Sequence, residues 1–111
     1  MFAGIPVDDL EVGLDWWERL LGSPPDMHPN EDEAVWHLTE SSSVYVVRDR
    51  ERAGNALVTL FADDLDGLVA GMAERGIEAG EIGTKPGVRV TTVADPDGNQ
   101  VQLGEIQQER R

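Results

Sequence analysis

The sequence predicts one α+β domain of two pseudo-symmetric halves, with curved mixed sheets around a central cleft and a helix outside each. Three observations carry this prediction. Val7-Asp8-Asp9-Leu10-Glu11 recurs as Ala62-Asp63-Asp64-Leu65-Asp66, 55 residues further along a chain of 111. An apolar run precedes each copy, Phe2 to Val7 and Leu57 to Ala62. A helical apolar pattern follows each.

Each apolar run reads as the opening strand of its half. The first helix follows from Leu10, Leu14, Trp17 and Leu21, which share one helical face. The second follows from Leu65, Leu68, Val69 and Met72. Asp8 or Asp9, and Asp63 or Asp64, are candidate N-caps, because a carboxylate there accepts the orphan N–H groups of a first turn. Gly22 and Gly76 stand where C-terminal glycines end helices. Strands are then expected at Ala34 to Leu38 and Val44 to Val47, and at Val88 to Val93 and Gln100 to Leu103. Asp95-Pro96-Asp97-Gly98-Asn99 is the turn between the last two, and Glu40 to Ser43 is its counterpart. Weaker strand signals fall near Asp26–His28 and Glu81–Ile82. A ferredoxin-like sandwich is the competing arrangement, since it also repeats a βαβ-type unit.

The composition bounds the function. Nine basic against 22 acidic residues give a net charge of −13, which disfavours nucleic acid and anionic membrane surfaces as partners. There is no cysteine, so disulfides, thiolate chemistry and thiolate-held metals are excluded. The first ten residues carry Asp8 and Asp9 and no long apolar run, so neither a signal peptide nor a membrane span is expected, and the default location is the cytoplasm. No phosphate loop or nucleophile elbow is present. The Asp95 stretch is not a calcium loop, because Gln100 stands where that loop needs Gly and Ile106 where it needs Glu.

Taken in order, Asp9-Leu10 entering Trp16-Trp17-Glu18-Arg19-Leu20-Leu21-Gly22, the second Asp-Leu-Asp copy, and Asp95-Pro96-Asp97-Gly98-Asn99-Gln100-Val101-Gln102-Leu103 form a distinctive set. The chain resembles the glyoxalase/bleomycin-resistance/dioxygenase family, of the vicinal-oxygen-chelate superfamily, from Phe2 to about Glu105. The resemblance implies one domain over 1–111: a βαβββ module at about 1–54, a second at about 55–105 and a short tail at 106–111. It also implies a homodimer. In metal-using members four inward side chains hold a divalent ion that acts as a Lewis acid. The corresponding positions here are Phe2, Val47, Leu57 and Gln102, with Val47 placed by the repeat offset.

Three apolar side chains and one amide do not hold a divalent cation. The expectation is therefore no metal and no cofactor. Instead, Phe2, Val47, Leu57 and Gln102 would form the floor of an organic-ligand cleft. Trp36 and Tyr45, in cleft-forming strands, join them as candidates to stack on a flat ligand, against core packing as the commoner role. Arg48 and Arg89 are candidate anion partners, against solvated surface. His37 is the one candidate for proton chemistry. The reading favoured is a metal-free binding protein for a largely apolar or aromatic molecule, with a cationic one compatible with the acidic balance. The alternatives are a metal-dependent or diverged lyase, isomerase or dioxygenase, the diverged one working through another constellation such as His37 with a carboxylate, and a dimeric interaction module with no ligand.

Overall fold

The computed structural model describes residues 2–106. The elements run β1 (Phe2–Val7), α1 (Leu10–Leu21), β2 (Glu33–Thr39), β3 (Ser42–Arg48), β4 (Leu57–Phe61), α2 (Leu65–Glu74), β5 (Gly83–Lys85), β6 (Val88–Ala94) and β7 (Gln100–Ile106). They form two separate sheets, ordered β1-β3-β2 and β4-β7-β6-β5. In each, the opening strand lies parallel to the closing strand of its own half, and the remaining pairs are antiparallel. This is the α+β arrangement of two mixed sheets expected, with open sheets; the first sheet has three strands where a βαβββ unit has four. Two sheets of this kind set aside the single sheet of a ferredoxin-like sandwich. The weak signal at 26–28 is an isolated bridge from Met27 to Val35, and the one near Glu81–Ile82 is realised just beyond as β5.

The helices begin as their sequences dictate. The Asp9 carboxylate accepts from the N–H groups of Glu11 and Val12, and that of Asp64 from the N–H of Gly67. α1 ends on Gly22 at φ 84°, a left-handed cap that an L side chain adopts only with strain. Its buried face is Gly13, Trp16, Trp17 and Leu20, one position round from the expected stripe, with Leu10, Leu14 and Leu21 half-buried. The cause is bulk: Trp16 and Trp17 both enter the core, their rings edge to face at 5.4 Å. α2 buries Leu65 and Met72.

One face of each sheet carries the core. Ile5, Val7, Ala34, Trp36, Val44 and Val46 from the first sheet join Val93, Val101 and Leu103 from the second and both helices in a single apolar cluster. The β6–β7 turn locks the halves together. Asn99 Nδ2 donates to the Pro6 carbonyl at 2.8 Å, and Asp8 N–H donates to Asp97 Oδ1 at 3.1 Å. Trp17 Nε1 donates to Asp95 Oδ2 at 3.4 Å. From α2, the Arg75 guanidinium donates to the carbonyls of Arg19 and Leu20 at the end of α1. Among the described residues no helix is long and apolar enough to cross a membrane.

Candidate functional site

The other face of each sheet is open, and strand parity decides which side chains it carries. In the second sheet the register sets Leu57 beside Gln100, Thr59 beside Gln102 and Phe61 beside Gly104, with Thr92 and Val90 continuing the rows on β6. Apolar side chains stand here in water: Leu57 is 72%, Phe61 62% and Ile106 62% exposed. Phe61, Val88, Val90, Thr59, Gln102 and Lys85, with Gly104, line a cavity of about 360 Å³. The absence of a side chain at Gly104 admits the Phe61 ring, which would stand 3.2 Å from a Cβ there. Thr59 Oγ1 donates to Gln102 Oε1 at 3.0 Å, so the hydroxyl fixes the amide and leaves its NH₂ as the donor presented.

In the first sheet the face away from the core carries His37, Ser43, Tyr45 and Val47 by the same parity, and Val35, which is buried. The Tyr45 ring lies across Gly4, where any Cβ would come within 2.6 Å of it. His37 Nδ1 and Ser43 Oγ share a 2.9 Å hydrogen bond. Asp26 accepts from the backbone N–H of His37 rather than from its ring, so the ring gains no carboxylate partner from it. A second cavity of about 260 Å³ lies where the β2–β3 turn faces β4, between Leu38 and Thr39 on one side and Leu60 and Phe61 on the other.

The residues singled out by sequence fall as follows. Leu57 and Gln102 share the open face of the second sheet, and Val47 and Tyr45 that of the first. Of Phe2 the structure describes the backbone, in register with Ser43. Trp36 lies on the core face, 2% exposed, with its Nε1 donating to the Ser23 carbonyl at 2.9 Å, so it packs rather than stacks on a ligand. Arg48 and Arg89 pair with Asp32 and Asp66 and are not turned to either open face. The registers also adjust the fourth position. Gln102 stands opposite Thr59, and Tyr45 stands opposite Gly4, the residue 55 before Thr59. Tyr45 thus occupies the place equivalent to Gln102, two residues before Val47. The Asp95–Asn99 connection is longer than the two-residue Glu40–Ser41 one, and β2 carries an irregularity between His37 and Thr39. Thr59, Phe61 and Lys85 were not singled out. The alternation Leu57, Thr59, Phe61 is the signal that reaches the first two; nothing local marks Lys85.

The vicinal-oxygen metal that the family's enzymes use does not fit these positions. Val47, Leu57 and Tyr45 bring no metal-binding pair, and Gln102 spends its oxygen on Thr59. Among the described residues no three His, Asp or Glu side chains converge to hold an ion.

One titrating group is displaced at the joint between the modules. Burial pushes the Asp97 carboxyl up, the Asp8 N–H it accepts pulls it back, and the charges of Asp95, Asp8 and Asp9 push it further up. Asp66 is held down by its hydrogen bonds to Arg89.

Two mixed sheets, each with a helix on its core face and an opening strand parallel to its closing strand, define a protein of the vicinal-oxygen-chelate fold. The model of the Glyoxalase/Bleomycin resistance protein/Dioxygenase superfamily matches residues 2–103, and the chain belongs to that superfamily. A glyoxalase/bleomycin resistance protein from Catenulispora acidiphila DSM 44928 is 44% identical, with 96% of this chain and 97% of that one covered and a TM-score of 0.91. TnmS3, an antibiotic binding protein from Streptomyces sp. CB03234, is 22% identical over 96% and 93% of the two chains, TM-score 0.77. A bleomycin-binding protein solved with bleomycin is 18% identical over 98% of both, TM-score 0.76. The last two share the fold. No curated protein matches the chain.

Proposed function

We propose that this chain is a metal-free small-molecule-binding protein that sequesters or carries a largely apolar or aromatic ligand without breaking a bond in it. The observation that carries this reading is the open face of the second sheet. It exposes Leu57, Phe61 and Ile106 beside a cavity of about 360 Å³, the size of a small organic ligand site. The same apolar exposure supports a homodimer. Superfamily members that bind an antibiotic and bleomycin support sequestration as the mode. His37, without a carboxylate on its ring, gives little support to catalysis. A net charge of −13 supports the absence of a nucleic-acid or anionic-membrane partner.

Native mass spectrometry of the protein purified from its own cells tests the reading. The expected spectrum is a dimer carrying an organic adduct and no metal. A stoichiometric metal adduct, with a matching rise in melting temperature on adding that metal, would overturn it, because an ion that binds only the folded state stabilises it.

A further inference from the structure

The charge arrangement of the molecule singles out one side chain. Five of the six described arginines are tied to aspartates: Arg19 to Asp15, Arg48 to Asp32, Arg50 to Asp8, Arg52 to Asp49 and Arg89 to Asp66. The sixth, Arg75, donates to the carbonyls that end α1. Lys85, the only lysine of the chain, makes no ion pair among the described residues. In a protein with 22 acidic residues an unpaired cation is unusual, and this one lines the cavity on the open face of the second sheet. No Asp or Glu lines that cavity with it.

Gln102 lies in the same cavity and is oriented to match. Its Oε1 is occupied by the Thr59 hydroxyl, so its NH₂ faces outward as a donor. Both polar groups of the cavity that are free to meet a ligand therefore seek an acceptor oxygen. Between them lie the apolar surfaces of Phe61, Val88 and Val90. Lys85 lies on β5 in register with Val88, and Gln102 on β7 in register with Thr92, four residues along and two strands over. That separates their backbones by about 16 Å, and the Lys85 side chain shortens the gap to the length of two or three fused rings.

We infer that this face selects a flat, apolar molecule bearing an anionic oxygen, a carboxylate or phenolate, and discriminates against a cationic one. The inference rests on the binding reading above and assigns the ligand its charge. The oxygen meets the Lys85 ammonium, an acceptor further along the ring system meets the Gln102 amide, and the rings lie on Phe61 and Val90. The overall negative charge does not cancel this preference, because charges more than about 8 Å away are screened at physiological salt.

The test uses the full chain and three probes of one shape, each with a methoxy oxygen on the far ring as the acceptor for Gln102: 6-methoxy-2-naphthoate, the neutral 6-methoxy-2-naphthamide and (6-methoxy-2-naphthyl)methylammonium, titrated by ¹⁵N-resolved NMR. The expected order is anion over amide over cation, with anion and cation differing by about fivefold in affinity, the worth of one partly exposed ion pair. Lys85→Met is expected to abolish the preference for naphthoate over naphthamide. Thr59→Val, which frees the Gln102 amide to turn, is expected to weaken naphthoate and naphthamide together. Shifts should centre on Thr59, Val90 and the Gln102 side-chain NH₂. Equal binding of all three probes, tighter binding of the cation, or an anion preference that survives Lys85→Met would overturn the charge assignment and leave the binding reading standing. No binding of any probe on this face would overturn both.

Discussion

Asn99 pins the two modules to each other, and truncating it to Ala isolates what that pin contributes. The residue is fully buried, and its side chain makes three hydrogen bonds. Nδ2 donates to the Pro6 carbonyl and to Asp95 Oδ2, both at 2.8 Å, and Oδ1 accepts from the Ala56 N–H at 2.9 Å. Pro6 belongs to the strand that opens module one, and Ala56 immediately precedes the strand that opens module two. Asn99→Ala therefore leaves the Pro6 carbonyl and the Ala56 N–H without partners and removes one donor from a buried carboxylate. A lost bond is worth about 1 kcal/mol net, and an orphaned buried group about 1–3 kcal/mol. The expected loss is roughly 3–5 kcal/mol, a large share of the roughly 5–15 kcal/mol that holds a domain folded. In a chain of this size that lowers the melting temperature by about 15 °C or more. Urea unfolding followed by tryptophan fluorescence and far-ultraviolet circular dichroism measures it. Asn99→Asp should cost at least as much at neutral pH, because it removes both Nδ2 donors and sets a second carboxylate against Asp95. A loss below about 1 kcal/mol in Asn99→Ala would refute the claim that this turn joins the modules.

Three other perturbations separate parts of the structure. Arg75→Ala removes the cap that α2 places on the end of α1 and should cost about 1–2 kcal/mol in urea unfolding; Arg75→Lys, a point charge in place of a fork, should restore only part of it. Folded Asp97 titrates above its unfolded value, so its contribution is most favourable below the unfolded pKa and is lost as pH rises through the folded one. Asp97→Asn keeps the acceptor for the Asp8 N–H and drops the charge, so melting curves should show it more stable than the parent at pH 7, with the difference vanishing towards pH 3; a variant less stable at pH 7 would contradict this. All three tryptophans are buried, so acrylamide should quench their emission weakly, and a ligand on the open faces should leave that quenching unchanged. Strong quenching of the folded protein would show that Trp36 is not on the core face.

Most of the fold was legible because its signals are local. Phe2–Val7 and Leu10–Leu21 take the bounds that the apolar run, the Asp9 cap and Gly22 set. The 55-residue repeat holds for the opening strands and helices, since nothing is inserted between them. The candidate site was legible only as far as parity. Leu57, Gln102, Tyr45 and Val47 all stand on open faces, because a strand's alternate residues share a face whatever its neighbours do. Trp36 could not be assigned this way, since an indole suits either face and only the Ser23 carbonyl, reached through the chain's return from α1, settles it. Lys85 could not be found at all by motif. Its significance is that five other cations are already neutralised, which is a property of the folded surface and not of any segment. The position taken from the repeat shows where such reasoning loses precision. A slip of one residue would have moved the side chain to the core and announced itself as a buried mismatch. A slip of two keeps the face and moves the residue about 7 Å along the cleft, from Tyr45 to Val47, with no apolar pattern to betray it. Hydrophobic periodicity therefore chooses the face of a sheet in this fold, while the residue that stands at a given place on that face is chosen by hairpin length.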